Sequence, residues 1–163
     1  MSNSDLFRKA WGSFATGVSL ITTVEENGSV HGMTANAIAS VSLEPMLAMV
    51  CVDHSAKTYP ILESTGKFGI NIMAEDQKAI AEYYAKSDTP SGVINTAIFR
   101  FTEAGTPFLE GSLASMDCRV INAHKEGDHT VFIGEVSEIE VSEGSPLLFY
   151  TGKWMTLNTV QRI

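Results

Sequence analysis

The chain has 163 residues, 44% of them apolar, and its 11 Lys+Arg against 19 Asp+Glu leave a formal net charge of −8. That length and apolar share predict one globular domain over residues 1–163, burying roughly 70% of the surface its unfolded form exposes. An acidic balance with no local Lys/Arg cluster excludes a reader of phosphate backbones, so no nucleic-acid partner is expected.

Residues 1–8 carry no basic-then-apolar leader, and no apolar run approaches the roughly 20 residues that span a bilayer. A cytoplasmic protein without membrane contact is the expectation. Ser4-Asp5 reads as a helix start, with Leu6, Phe7, Ala10, Trp11 and Phe14 at helical spacing until Gly12 and Gly17 end the pattern. The β-branched run 18–24 predicts a strand, and Asn27-Gly28 supplies the positive φ angles of a tight hairpin turn. Residues 34–42 read as one extended segment and 47–53 as an apolar strand. Helices are predicted at 55–65 and 75–86, with a strand at 68–73 between them. The loop 87–95 is the expected mobile segment. Residues 112–123 and 129–141 flank Lys125-Glu126-Gly127-Asp128 as a long hairpin, and 147–150 adds a short strand. Strands outnumber helices, and the helices enter singly. The predicted class is therefore mainly β, a mostly antiparallel barrel with a few covering α-helices.

Cys51 and Cys118 lie far apart, with no CxxC and no His at finger spacing, which sets aside a zinc module and a dithiol. They read as small core residues suited to a reducing compartment. Dinucleotide, phosphate-loop, hydrolase and zinc-protease motifs are absent.

In an extended segment, side chains alternate between faces, so Thr34, Asn36, Ser40 and Ser42 share one side of 34–42 and Ala35, Ala37, Ala39 and Val41 the other. An uncharged hydroxyl and amide face offers donors and acceptors to a neutral heteroaromatic edge; an ordinary solvent-facing strand has the same pattern. Asp53-His54-Ser55-Ala56-Lys57-Thr58 runs into a helix. Free N–H groups, two hydroxyls and Lys57 read there either as a phosphate seat or as a simple N-cap on Ser55 or Thr58. His129 follows Gly127-Asp128 at a hairpin, where an imidazole can place a substrate at neutral pH. His124 lies across that turn, but the two histidines and Asp128 lack an evident further ligand, and no metal is expected. His31, His54 and His124 read as surface histidines.

In order, Phe14-Ala15-Thr16-Gly17-Val18, His31-Gly32-Met33-Thr34-Ala35-Asn36-Ala37, Ser40-Val41-Ser42-Leu43-Glu44-Pro45, Phe68-Gly69-Ile70-Asn71, Leu109-Glu110-Gly111-Ser112-Leu113-Ala114, Gly127-Asp128-His129 and Pro146-Leu147-Leu148-Phe149-Tyr150 run through nearly the whole chain. Together they resemble the short-chain flavin reductase family, which includes the reductase components of two-component flavin-dependent monooxygenases. The resemblance implies an antiparallel split β-barrel of the Greek-key, FMN-binding type. It implies a flavin ring along Thr34, Ala35, Asn36, Ala37, Ser40, Val41 and Ser42, with the phosphate near Val52, Asp53, Ser55, Lys57 and Thr58. It puts the nicotinamide near His129 and the final strand, with Tyr150 and Lys153. Family members often carry an Arg where this chain has Thr151 before Gly152-Lys153-Trp154.

The activity implied is transfer of a hydride from NADH or NADPH to N5 of FMN or FAD, with His129 as the catalytic-site residue. Reduced flavin would then diffuse to a monooxygenase, and the chain would form a homodimer with flavin near the interface. The rival on the same fold is an electron-carrier flavoprotein that keeps FMN and turns NAD(P)H over slowly. A metal-dependent barrel enzyme is more distant.

Overall fold

The computed structural model describes residues 2–86 and 94–157. Helix α1 (Asn3–Gly12) begins earlier than the Ser4-Asp5 reading. Ser2 is the cap: its hydroxyl accepts from Asp5 N at 3.2 Å, and the Asp5 carboxylate accepts from Ser2 N at 3.0 Å. The helix buries none of its residues, and Phe7, Trp11 and Phe14 form an exposed edge-to-face ladder along it.

The strands that follow are β1 (Thr16–Gly17), β2 (Ser19–Val24), β3 (Val30–Ala35), β4 (Ile38–Leu43) and β5 (Met46–Asp53). After α2 (Thr58–Thr65) come β6 (Lys67–Ile72), a 3-10 turn at Glu75–Gln77 and α3 (Lys78–Tyr84). The last strands are β7 (Phe99–Phe101), β8 (Pro107–Leu109), β9 (Ala114–Glu126), β10 (His129–Val141), β11 (Leu148–Tyr150) and β12 (Lys153–Met155). The chain is mainly β, and every pairing is antiparallel.

The seven-stranded sheet has the order β3-β2-β6-β9-β10-β5-β4. Its two edge strands are consecutive in sequence, joined only through Asn36 and Ala37. Three residue steps reach at most about 11 Å, whereas seven flat strands about 4.8 Å apart would span about 29 Å. The sheet must therefore curl until its edges approach at that corner. Among the described residues no β3–β4 pairing closes it.

Inside the curl lie Ile21, Val50, Val52, Phe68, Ile70 and Phe132, with Leu62 of α2 as a plug. A second cluster, outside it, packs Leu20, Met73, Ile80, Ala81, Tyr84, Leu109 and Leu147 under α3. Leu20 and Ile21 serve different clusters, which is why β2 is apolar on both faces. Asn71, fully buried, ties the elements together. Its amide donates to Leu20 O at 3.0 Å and Thr22 Oγ1 at 3.1 Å, while Oδ1 accepts from Leu109 N and Ser115 Oγ, both at 2.8 Å.

Several local expectations change. In the β2–β3 turn only Gly28 has positive φ, +84°; Gly28 N donates to Glu25 O at 2.9 Å, and Asn27 instead accepts from Ser29 N at 2.8 Å. The helix predicted at 55–65 starts at Thr58, the one at 75–86 divides, and the segment 34–42 breaks into β3 and β4. Strands β1, β7, β8 and β12 are too short to show a period in sequence. Most of the loop predicted to be mobile, residues 87–93, lies outside the described residues.

Candidate functional site

A groove runs along β3 between two walls. At one end, a cavity of about 240 Å³ is bounded by His31 to Thr34 of β3, the turn carrying Asp53, Ser55, Lys57 and Thr58, and Tyr84 to Lys86 after α3. At the other, an adjoining cavity of about 170 Å³ is lined by Val18, Thr34, Ala35, Asn36, Phe149 and Trp154. Thr34 and Ala85 line both, so the two cavities adjoin.

Gly32 sets the first wall. A Cβ there would stand 2.8 Å from two ring atoms of Tyr84, so only glycine lets α3 lie this close. Thr34 fastens the same helix by donating from Oγ1 to Ala81 O at 2.7 Å. Asn36 Nδ2 donates to Thr16 Oγ1 at 3.2 Å, joining the corner to β1.

The turn after β5 is an Asx turn. Asp53 Oδ1 accepts from Ser55 N at 2.7 Å, and this bond holds its carboxyl below the usual carboxylate range. His54 N donates to Asp128 O, Ala56 N to Asp53 O and Tyr59 N to Ala56 O. The expectation of free N–H groups is therefore narrowed: that of His54 is spent on Asp128 O of the neighbouring hairpin and those of residues 55, 56 and 59 on the turn and the first turn of the helix, and the N-cap is Lys57, not Ser55 or Thr58. What the turn presents is Lys57, with Lys86 bounding the same cavity.

His31 and His54 are not surface histidines. The His31 side chain is 12% exposed, held between Thr58 Oγ1 at 2.8 Å from Nε2 and Glu25 Oε1 at 3.4 Å from Nδ1. Burial pushes its pKa down, against the pull of Glu25. His54 Nε2 lies 2.9 Å from Thr130 Oγ1, and its ring packs on Tyr59 at 4.7 Å. His124 is exposed on β9. Among the described residues no group of three His, Cys, Asp or Glu could hold a metal ion.

The single polar face predicted for residues 34–42 does not form. The chain turns the corner at Asn36–Ala37, where Ala37 O accepts from Cys51 N at 2.9 Å, and a register shift interrupts β4 between Ser40 and Ser42. Thr34, Ala35 and Asn36 stay with the groove, whereas Ser40 and Ser42 line a separate apolar cavity of about 400 Å³ beside Met46 and Ile139. Val41 is exposed, and the Val52 side chain is wholly inside the core.

His129 opens β10 opposite Asp53, with Nδ1 2.7 Å from Asp128 Oδ1, one strand away from the groove wall rather than in it. Across the β11–β12 turn, Phe149 faces Trp154 with ring centroids 5.1 Å apart, and Tyr150 faces Lys153. Successive pairs take opposite faces, so the groove receives Phe149 and Trp154 and not Tyr150 and Lys153. Sequence reasoning missed Phe149, Trp154, His31, Tyr84 and Lys86. The only signal for the aromatic pair was Gly152, whose φ of +76° beside Thr151 at +48° marks a two-residue turn and hence the pairing register.

The groove is thus cationic at one end and aromatic, with one amide, at the other. That suits a flat heteroaromatic molecule with an anionic tail.

The pattern of the family described as "Flavin reductase like domain" matches residues 11–158. The chain is 42% identical over 159 residues to an NADH-dependent flavin reductase of a Rhodococcus species, covering 95% of this chain and 87% of that one. It is 37% identical over 152 residues to the reductase subunit HsaB of a flavin-dependent monooxygenase from Mycobacterium tuberculosis, covering 91% and 79%. Among solved structures, the styrene monooxygenase flavin reductase of Pseudomonas putida superposes with a TM-score of 0.84 at 34% identity, covering 95% of this chain and 97% of that one.

Proposed function

The chain belongs to the flavin reductase like family, and from that premise we propose that it transfers a hydride from NADH or NADPH to free FMN or FAD in the groove along β3. It is an NAD(P)H-dependent flavin reductase that supplies reduced flavin to a partner monooxygenase. The observation that carries the site is the pair of adjoining cavities that share Thr34 and Ala85, cationic toward Lys57 and aromatic toward Trp154.

The residues present fit a flavin. When bound, it supplies the ring nitrogen that accepts the hydride. Lys57, Lys86 and Thr58 would face its phosphate, Asn36 would meet a ring heteroatom, and Phe149 with Trp154 would keep water from the ring. Asp128 holds His129 by Nδ1, which leaves Nε2 outward to position the nicotinamide; geometry and not proton donation is the role proposed. Ser40 and Ser42 line a separate cavity, Val41 is exposed, and Tyr150 and Lys153 take the opposite face of their hairpin, so these five would act only from a second copy.

A split barrel accords with a curled sheet whose edges meet only at Asn36–Ala37. A homodimer would cover the exposed Phe7 and Trp11 of α1 and Phe14 just after it. The proposal includes one domain over residues 1–163 in the cytoplasm, a reducing compartment that suits the free Cys51 and Cys118. No described helix is long and apolar enough to cross a membrane.

Steady-state oxidation of NADH and NADPH, with FMN and then FAD in excess, tests the activity. Many turnovers per protein chain are expected; a single equivalent would identify the electron carrier instead. For the phosphate end, Lys57→Ala with Thr58→Ala should narrow the preference for FMN over riboflavin, and equal affinities in the wild type would move the seat elsewhere.

A further inference from the structure

We propose that His31 is a positioning residue for the flavin phosphate, taking up a proton as the phosphate enters the cavity and so turning the Thr58 hydroxyl toward it. This rests on the phosphate seat proposed above. The argument begins with donors and acceptors. Glu25 lies 3.4 Å from Nδ1 of His31, and a carboxylate there selects the tautomer with its proton on Nδ1. Nε2 then has only a lone pair, so across 2.8 Å the Thr58 hydroxyl must donate to it. In that state Thr58 offers a phosphate nothing but lone pairs. In the imidazolium both nitrogens donate: Nε2 gives its proton to Thr58 Oγ1, and the hydroxyl hydrogen is released to rotate toward the cavity that Thr58 lines.

The charges around the ring set when this happens. Glu25, from the β2–β3 turn, favours the cation, while burial and Lys57, at the start of α2, oppose it. Asp53 from the end of β5 and Lys86 after α3 bound the same cavity with opposite signs. Tyr84 stays neutral, its phenol pushed up to about 12 by burial. Without an anion, His31 is therefore neutral at pH 7. A phosphate monoester brings a charge of about −1.5 to −2, offsets Lys57 and attracts the imidazolium. An opposite charge within about 4–6 Å strengthens proton binding roughly 10- to 1000-fold. The proton comes from solvent and goes to Nε2.

Isothermal titration of FMN, riboflavin and NAD⁺ into the protein at pH 7.5, in two phosphate-free buffers of different ionisation enthalpy, counts the protons taken up. The expected result is uptake approaching one proton with FMN and none with riboflavin, and FMN affinity that rises severalfold from pH 8 to 6.5. His31→Gln, which keeps a donor and acceptor without titrating, should abolish both effects. Preferential FMN binding without proton uptake overturns the role of His31 and leaves the seat standing. Equal uptake in His31→Gln overturns it too, and so does uptake with NAD⁺ alone. FMN and riboflavin binding alike overturns seat and proposal together. Should His31→Gln not fold, the wild-type comparison of FMN with riboflavin still decides.

Discussion

Replacing Gly32 by alanine tests whether the wall built by Tyr84 is as tight as the geometry says. The new Cβ would sit 2.8 Å from Cδ1 and Cε1 of the ring, whereas ordinary contact begins at 3.4 Å, so the ring must retreat by at least 0.6 Å. It has little freedom to do so, being 4% exposed, packed edge-on to Tyr83 at 5.0 Å and carried by a helix that Thr34 fastens through Ala81 O. Overpacking of this kind costs about 1–3 kcal/mol, and removing a glycine from a strand returns about 0.5–1 kcal/mol. The net loss is up to about 2.5 kcal/mol, or up to about 10 °C in Tm for a chain of this size. Because the residues that shift also bound the cavity, FMN affinity should fall with stability. Gly17→Ala, also in a strand but with no atom within 4 Å of the added carbon, is the control and should be neutral to slightly stabilised. Thermal unfolding and FMN titration of both variants suffice: a Gly32→Ala protein as stable as Gly17→Ala, with wild-type FMN affinity, would refute the reasoning.

Asn71→Leu keeps the branched heavy-atom skeleton but strands Leu109 N and Ser115 Oγ without an acceptor. A loss of about 2–5 kcal/mol in urea unfolding is expected, and a change below 1 kcal/mol would mean that water replaces the amide. His129→Ala should leave flavin affinity intact and lower kcat/KM for the pyridine nucleotide by up to about a hundredfold. His129→Asn should recover part of that loss, and unchanged stopped-flow reduction of prebound flavin in the alanine variant would exclude the role. Asp53 is held below its ordinary pKa by the Ser55 N–H, so its contribution is present above the unfolded value of about 3.9 and lost as pH falls through the lower folded value. Wild type should therefore exceed Asp53→Asn in Tm at pH 7, and the gap should begin to close below about pH 4 and vanish only as pH falls past the lower folded value; a gap independent of pH would contradict this.

The parts of this chain legible in sequence are those fixed by local chemistry. The long hairpin of β9 and β10 follows from two apolar, β-branched runs around Gly127-Asp128, and the Asp53 to Ala56 turn carries the Asp-x-Ser signature that would have moved the start of α2 to Thr58. The polar face of 34–42 failed for a reason no local pattern contains. Whether the chain runs straight through Asn36 depends on a sheet of seven strands bringing its edges to that point. His31 looked like a surface residue because the helix that buries it begins 27 positions later, at Thr58. At the C-terminal hairpin, the choice of Phe149 over Tyr150 is one of parity, and a one-residue slip in pairing would have exchanged them.

The sheet order also dictates how the chain must be assembled in time. Three hairpins of the seven-stranded sheet close over short turns: β2 with β3 (Val24 to Val30), β4 with β5 (Leu43 to Met46) and β9 with β10 (Glu126 to His129). Such hairpins form in about 1–10 μs. Joining them needs distant partners: Ser19 with Ile72, Arg119 with Lys67, and His129 with Asp53, 76 positions earlier. Topologies governed by such contacts fold in milliseconds to seconds. Until those partners meet β6 has no neighbours, and hairpin edges that end up paired in the finished sheet are open. Dilute refolding should then proceed cleanly, and concentrated refolding should lose material to edge-to-edge association between chains.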